Sequence, residues 1–375
     1  MTEITGKLTS AKVYCDNISD DLRLQITSIC DNRISDKSNI VIMPNVSIGR
    51  VAPSGLAMTI NATRIIPNMI GSDIGCGVMC SIVRMKGAPD LNRLERTINN
   101  LIPYGNRVHA NRVKDISFAR LIKSRPLMCA SEINVNTCLN SICTLGGGDH
   151  YIELAESGGI YYLLVHSGSG LFGQQVTKYY NNLFARIAIS KGFTFNNDLI
   201  YGEGISMLNY IKDANSLYYY AYCNRATISR TIIKSMGWSG DILLDKTHNY
   251  ISTNVDGTLT IRKGAQSAHS GCKVIIPTNI IDGTIIGSID INDTSKYNSS
   301  APSSSGRLYS KVEVNSKYNL SDYKAAMRGI YCSNISANNI DKSPMVYNGM
   351  PYILKSIPWI TVEKVLKPIY IFKAT

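Results

Sequence analysis

Residues 71–80 read GSDIGCGVMC, which sets Asp73 and Cys76 three positions apart in a glycine-rich turn ahead of a strand-like run. A carboxylate and a thiolate are metal ligands once ionised, and Gly71, Gly75 and Gly77 permit the tight backbone that would bring them together. The stretch reads as half of a metal site. The chain has five histidines. His150 closes the turn LGGGDHYIEL, His166 ends the run LLVHSGSG, and His248 lies in KTHNYIS. A histidine at a strand end beside a glycine turn points at a cleft, where binding residues collect. One carboxylate, one thiolate and three imidazoles suit a borderline divalent ion such as Mn²⁺, Zn²⁺ or Co²⁺. Five donors exceed one tetrahedral shell. If they converge, two ions sharing the Cys76 thiolate are the natural arrangement, and paired ions serve phosphoryl chemistry. Taken singly, each histidine is equally a hydrogen-bonded polar residue, and spacing does not establish convergence. His109 and His269 lack such surroundings and are expected on the surface.

The elements that must position these residues are visible as patterns. GVMCSIVRMKG alternates as a strand leaving the Asp-Cys turn, and GIYYLLVHSGSG is a strand that delivers His166. NIVIMPNVSIG is a strand running into a loop, and TLTIRKGA, TIIGSIDI and a short VLKPIYIFKAT are further strands. DDLRLQITSICDN is a helix. Residues 90–103 form an amphipathic helix with Leu91, Leu94, Ile98 and Leu101 at helical spacing. LFGQQVTKYYNNLFARIAISKG is a helix closed by Gly192. Residues 203–236 carry the longest helical pattern, whose tyrosines 218–220 and 222 are expected to pack into the core. Residues 293–307, DTSKYNSSAPSSSGR, are loop-like and suit either a linker or an ordered, ligand-facing loop. No repeat and no clean boundary divides the chain, so a single α+β domain over residues 1–375 is expected.

Bulk properties narrow the partner. At 375 residues, 44% hydrophobic and 18% charged, the chain is globular rather than disordered. The formal charge of +12 favours an anionic partner, nucleic acid above all, over a merely basic protein. No run of 18 apolar residues appears and the N-terminus has no apolar signal core, so no membrane span and a cytoplasmic location are expected. The 10 cysteines form no CxxC pair, which argues against a structural zinc finger and for reduced thiols. The richness in Asn, Ile, Tyr and Lys is that of an AT-rich genome, as in many phages or low-GC bacteria.

From about residue 40 to its end the chain resembles the RtcB family of GTP- and manganese-dependent RNA-splicing ligases. GSDIGCGV resembles that family's Asp-x-x-Cys metal motif, LGGGDHYIEL its LGGGNHFIE turn, and VHSGSGLFG its HSGSRxxG segment. LNYIKDANSLYYYAYCNRATI resembles its long helix with an Asn-Arg pair. HNYIS, RKGA at Arg262–Ala265, and DKSPMVYNGM with LKPIYIFKA match further motifs in order. The resemblance implies an α+β fold with mixed sheets flanked by helices around a central metal cleft. It implies that Asp73, Cys76, His150, His166 and His248 hold two Mn²⁺ ions, with Cys76 bridging, and that Glu153 and Lys373 contact a guanylate. It implies RNA ligation: a histidine takes GMP from GTP, the GMP caps an RNA 3′-phosphate derived from a 2′,3′-cyclic phosphate, and a 5′-hydroxyl displaces it. An RNA partner, tRNA among the candidates, an archease-type activator and a monomeric state complete the expectation.

Departures from the family pattern concentrate where GMP is handled. The SxSHGAGR loop is SAPSSSGR here, so Ser303 stands at the nucleophilic histidine while Gly306 and Arg307 match. IPGSMG…S has become IPTNIIDGT, with Asn279 and Thr284 in place of serines. MPDVHxG has become MPNVSIG, losing an Asp and a His at Asn45 and Ser47, and Asp149 replaces the Asn of GGGNH. A neutral serine without a base is a poor nucleophile. Three readings follow: a ligase, with Lys373 or Lys311 as alternative nucleotidyl acceptor; a metal-dependent phosphodiesterase or phosphatase of RNA ends; or a catalytically silent homologue that binds RNA ends.

Overall fold

The computed structural model describes residues 1–15, 17–111, 125–193, 199–309 and 311–374. The Lys311 side chain, considered above as an acceptor, lies outside what is described. Among the described residues two large sheets carry the fold. One runs β1 (Thr2–Thr5), β2 (Ser10–Val13), β3 (Asn39–Ser47), β4 (Ser54–Ile60), β12 (Leu259–Lys263), β11 (Asn249–Thr253). The other runs β10 (Ser239–Thr247), β6 (Gly77–Arg84), β8 (Ile160–Ser167), β7 (Tyr151–Ser157), β17 (Ile360–Lys373), β15 (Thr284–Ile289), β14 (Lys273–Pro277). Small ladders join β5 (Arg64–Ile65) to β9 (Gly202–Glu203) and β13 (Ala265–Ser267) to β16 (Ser300–Pro302). Most pairings are antiparallel, with β2 and β3 parallel, so the mixed α+β architecture is the expected one.

The middle strands of the second sheet are buried on both faces, one under the long helix and the other where the sheet packs on itself. That is why YYLLVHS reads as a continuous apolar run rather than an alternating one. Leu163 and Val165 pack with Ile228 and Ile232 of the long helix, while Tyr162 and Leu164 pack with Val78, Ile275 and Leu366 on the other side. The long helix spans Gly204–Met236 and stops at Gly237, whose φ of 71° is left-handed and whose N–H caps the Ile233 and Lys234 carbonyls. The helices Asp20–Cys30, Leu91–Leu101 and Gly170–Ser190 lie where their patterns place them.

Register decides which side chains face the cleft. His166 pairs with Tyr151, and Tyr151 pairs with Lys373, so the three stand in one row across β8, β7 and β17. Glu153 pairs with Leu164 and Ile371 in the next row of the same face.

Four expectations are corrected. Of the tyrosines at 218–220 and 222, only Tyr220 is core; Tyr219 and Tyr222 are 40% and 38% exposed. Successive residues turn by about 100° on a helix, so neighbours cannot share one buried stripe. The C-terminal strand is not short: β17 has 14 residues, because it pairs with both β7 and β15 and absorbs Pro368 at a register shift. Of the two readings of residues 293–307 the linker is discarded and the ordered, ligand-facing loop holds: Ser300, Ala301 and Pro302 form a buried strand, and the loop after it enters the cleft. His109 is half-buried rather than on the surface, its Nε2 3.1 Å from the Cys143 carbonyl. His269 is exposed as expected, and all 10 cysteines are free thiols. No described helix is long and apolar enough to cross a membrane.

Candidate metal centre

Four chain segments bring the cleft residues together. Asp73 and Cys76 sit on the turn entering β6, His150 just before β7, His166 near the end of β8, and His248 between β10 and β11. The donor atoms of Cys76, His150 and His166 lie within 4.8 Å of one another. Cys76 Sγ is 3.4 Å from His150 Nε2 and 3.3 Å from His166 Nε2. Asp73 Oδ2 is 2.8 Å from His150 Nε2, and the His248 ring centroid is 5.3 Å from that of His166. The five residues expected to converge from spacing and resemblance therefore line one cavity of about 780 Å³.

The hydrogen bonds behind the rings show what the cluster is built to hold. His150 Nδ1 donates to the Leu145 carbonyl at 2.7 Å, and His166 Nδ1 donates to the Asp149 carbonyl at 3.2 Å. A carbonyl can only accept, so each ring carries a proton on Nδ1 and turns Nε2 to the cleft. His150 Nε2 donates to Asp73 Oδ2, and both Nε2 atoms lie beside the Cys76 sulfur. A cation that displaced the His150 Nε2 proton would be met by two imidazole nitrogens, a carboxylate and a sulfur, and carbonyls orienting the far nitrogen are the usual support of metal-bound histidine. The donor set thus fits a borderline divalent ion.

Burial and neighbouring charge shape the ionisation of this cluster. Burial alone would raise the Asp73 carboxyl, but the His150 charge and hydrogen bonds from His150 and the Gly170 N–H hold it well below the usual range. Burial, with Asp73 beside it, pushes the Cys76 thiol up. Burial, then His150 and His248, pushes His166 far down, and burial together with Arg225 lowers His248 to about 3. Both rings are neutral at physiological pH, the form in which an imidazole can bind a metal. Packing around Asp73 leaves no slack: a Cβ on Gly168 would lie 2.3 Å from Asp73 Oδ1.

The same cavity is lined by Ser303, Asp149, Glu153, Asn279, Thr284 and Lys373. Glu153 is 4% exposed and its Oε1 has no hydrogen-bond partner. Lys373 Nζ donates to Tyr323 Oη at 3.2 Å and to the Lys342 carbonyl. Asn279 turns to Asp282, with Nδ2 to Oδ2 at 3.0 Å. Arg307 is not in the cavity wall; it donates to the Asp341 carbonyl at 2.9 Å and to Tyr347 Oη at 3.3 Å. Sequence reasoning named no role for Lys263, Lys342, Asn224 or Arg225. Lys263, Lys342 and the buried Asn224 line the cavity, and Arg225 is buried behind it. Two strongly polar neighbours inside a helix of 33 residues were the available signal for the last pair.

Glu153 yields a pH prediction. Burial raises its carboxyl from the usual 4.5 to about 8, against the pull of Lys373. The folded state therefore holds a proton that the unfolded chain releases from about pH 4.5 upward. This contribution to stability is full below that pH and is lost as pH rises through about 8. Lys373, lowered by burial to about 8, adds a slope only above that value and does not cancel the first. Glu153→Gln should remove the fall. The gap between variant and wild type, read from thermal melts of metal-free protein, should widen by a few kcal/mol between pH 5 and 8, at about 1.4 kcal/mol per pH unit. A gap that stays constant across that window would refute a protonated Glu153.

Comparison with known proteins shows the family. A profile of the family described as tRNA-splicing ligase RtcB matches residues 33–132 and 122–374. RNA-splicing ligase RtcB2 of Escherichia coli strain ATCC 25922 is 26% identical over 285 residues, covering 69% of this chain and 67% of that protein. RNA-splicing ligase RtcB1 of the same strain is 24% identical over 355 residues, covering 84% of this chain and 85% of its own. RNA-splicing ligase RtcB of Escherichia coli K12 is 24% identical over 351 residues, with the same coverage of 84% and 85%.

Proposed function

This chain belongs to the RtcB family, and from that premise we propose that it joins RNA 3′-phosphate or 2′,3′-cyclic phosphate ends to 5′-hydroxyl ends. The single observation that carries the reading is the convergence of Asp73, Cys76, His150, His166 and His248 on one cavity, with Nε2 of His150 and His166 turned inward. A pair of divalent ions held there, Mn²⁺ or else Zn²⁺ or Co²⁺, would neutralise phosphate charge and align an in-line displacement. A phosphate oxygen is a poor leaving group until it is capped as an anhydride, which is the reason for GTP. Glu153, Lys373, Asn279 and Thr284 are the residues assigned to the guanylate, beside Asp149 at the Gly-rich turn. The basic charge of +12 suits an RNA substrate such as a cleaved tRNA in the cytoplasm.

Ser303 supports a second reading, hydrolysis of RNA ends without guanylylation. It lines the cavity in place of an imidazole, and an unassisted hydroxyl is a weak acceptor of a nucleotidyl group. The Lys373 amine, which burial lowers to about 8, is the other group to examine as acceptor.

One experiment separates the readings. The protein is incubated with Mn²⁺, labelled GTP and RNA fragments bearing a cyclic phosphate and a 5′-hydroxyl, then denatured. Joined RNA with label retained on protein is the expected result. Cyclic phosphate opened to 3′-phosphate without GTP, and no label, would establish the second reading instead. RNA left unchanged in both conditions would sink both.

A further inference from the structure

Arg225 is 0% exposed in the middle of the helix Gly204–Met236. Its guanidinium forms a fork with Asp245 of β10, Nε to Oδ1 at 2.7 Å and Nη2 to Oδ2 at 2.8 Å. The remaining donors go elsewhere. Nη1 donates to the Gly75 carbonyl at 2.7 Å and to the Ser167 carbonyl at 2.9 Å, and Nη2 reaches Thr247 Oγ1 at 3.1 Å. Gly75, Ser167 and Thr247 adjoin Cys76, His166 and His248 in the chain. One planar group therefore touches the neighbour of three candidate ligands that come from three separate segments.

The packing around this contact is close. A Cβ on Gly77 would meet Arg225 Cζ at 3.1 Å and Thr247 Cα at 2.8 Å. Asn224 extends the same support toward His150. Its Nδ2 donates to the Thr144 carbonyl at 2.9 Å and to Ser167 Oγ at 3.0 Å, and its Oδ1 accepts from the Thr144 N–H at 3.2 Å. Stability alone is a poor reason for such a group, since a buried ion pair is often no better than apolar packing of equal volume. A rigid five-donor fork is what fixes several acceptors at set spacings.

We propose that Arg225 is a positioning residue of the metal centre, holding the Cys76, His166 and His248 segments at the separation that divalent ions require. The inference rests on the metal-centre reading above. It assigns Arg225 no contact with substrate or with the reacting atoms.

Cobalt binding tests it, because a thiolate-to-cobalt charge-transfer band and the d–d bands report ligand geometry independently of any activity. The full chain is stripped with a chelator and titrated with Co²⁺, alongside thermal melts of the metal-free protein. Arg225→Lys keeps the charge but loses the fork. It should weaken cobalt binding by about 10- to 100-fold and shift the d–d bands, the range seen when outer support of ligands is lost. Thr247→Val removes one contact, leaves every charge in place and should still weaken binding several-fold with a near-wild-type melt. Should Arg225→Lys fail to fold, the Thr247→Val titration decides. Wild-type affinity and bands in the folded variants overturn the role of Arg225 alone. A wild-type chain that takes up no cobalt overturns the metal-centre reading and this inference with it.

Discussion

Cys76→Ala is expected to lower affinity for Co²⁺ or Mn²⁺ by more than about 100-fold, beyond what loss of an outer-shell partner costs, and to erase the thiolate charge-transfer band. The argument is geometric. Cys76 Sγ stands 3.4 Å and 3.3 Å from the two imidazole nitrogens that face the cleft. A thiolate between two imidazoles and a carboxylate is the donor best placed to bind two ions at once, so its removal affects both sites. The thiol is raised by burial, which means that metal uptake must release its proton and will weaken as pH falls. Folding should hardly change, because removing one small buried group costs on the order of 1 kcal/mol. Cys80→Ala is the control. Cys80 is also fully buried, on β6 four residues further on, and its loss should cost similar stability with no change in cobalt binding. Equal cobalt affinity in Cys76→Ala and wild type would remove Cys76 from the ligand set.

Ser303→His combined with Asn45→Asp should raise covalent GMP labelling in Mn²⁺ and GTP by at least about 100-fold, the scale on which a competent nucleophile and its orienting partner act. Ser303 lines the cavity and its N–H donates to the Gly264 carbonyl at 3.3 Å. Asn45 reaches the same place: its Nδ2 donates to the Gly264 carbonyl at 2.8 Å and approaches Ser304 Oγ at 3.4 Å, while its buried Oδ1 has no partner. An imidazole at 303 would bring a donor to this loop, and a carboxylate at 45 could orient and charge-stabilise it where the present amide cannot. The adduct should be labile to acid and stable to alkali, as a phosphoramidate is, which separates it from a serine ester. A doubly substituted protein that folds, binds cobalt and takes no label would show that the guanylate site itself has been lost.

Much of the scaffold was legible before any coordinates. Glycine and polar punctuation act within a few residues, so the strand carrying His166, the turn carrying Asp73 and Cys76, and the long helix ending at Met236 all fell where their patterns placed them. Misreadings arose where an element's surroundings overrule its composition. SSAP, polar and proline-containing, became a buried strand because β13 and the cleft cover it. The C-terminal strand grew to 14 residues because two partners were waiting for it. The tyrosines near 220 split between core and surface because helical rotation separates adjacent side chains. Arg225 gave no sign of its role, since an arginine in a helix reads as solvent-facing until its partners on β10 and the two turns are known.

The sequence by itself determined the donor types, the basic charge and the family, for these depend on residue identity and on ordered motifs. Tertiary structure alone decided that five donors from four separate segments meet in one cavity. Strand register set His166, Tyr151 and Lys373 in one row. The Leu145 and Asp149 carbonyls chose which nitrogen of each histidine faces inward. Register and hydrogen-bond direction arise only when distant segments pack, because each depends on an atom that local sequence does not contain.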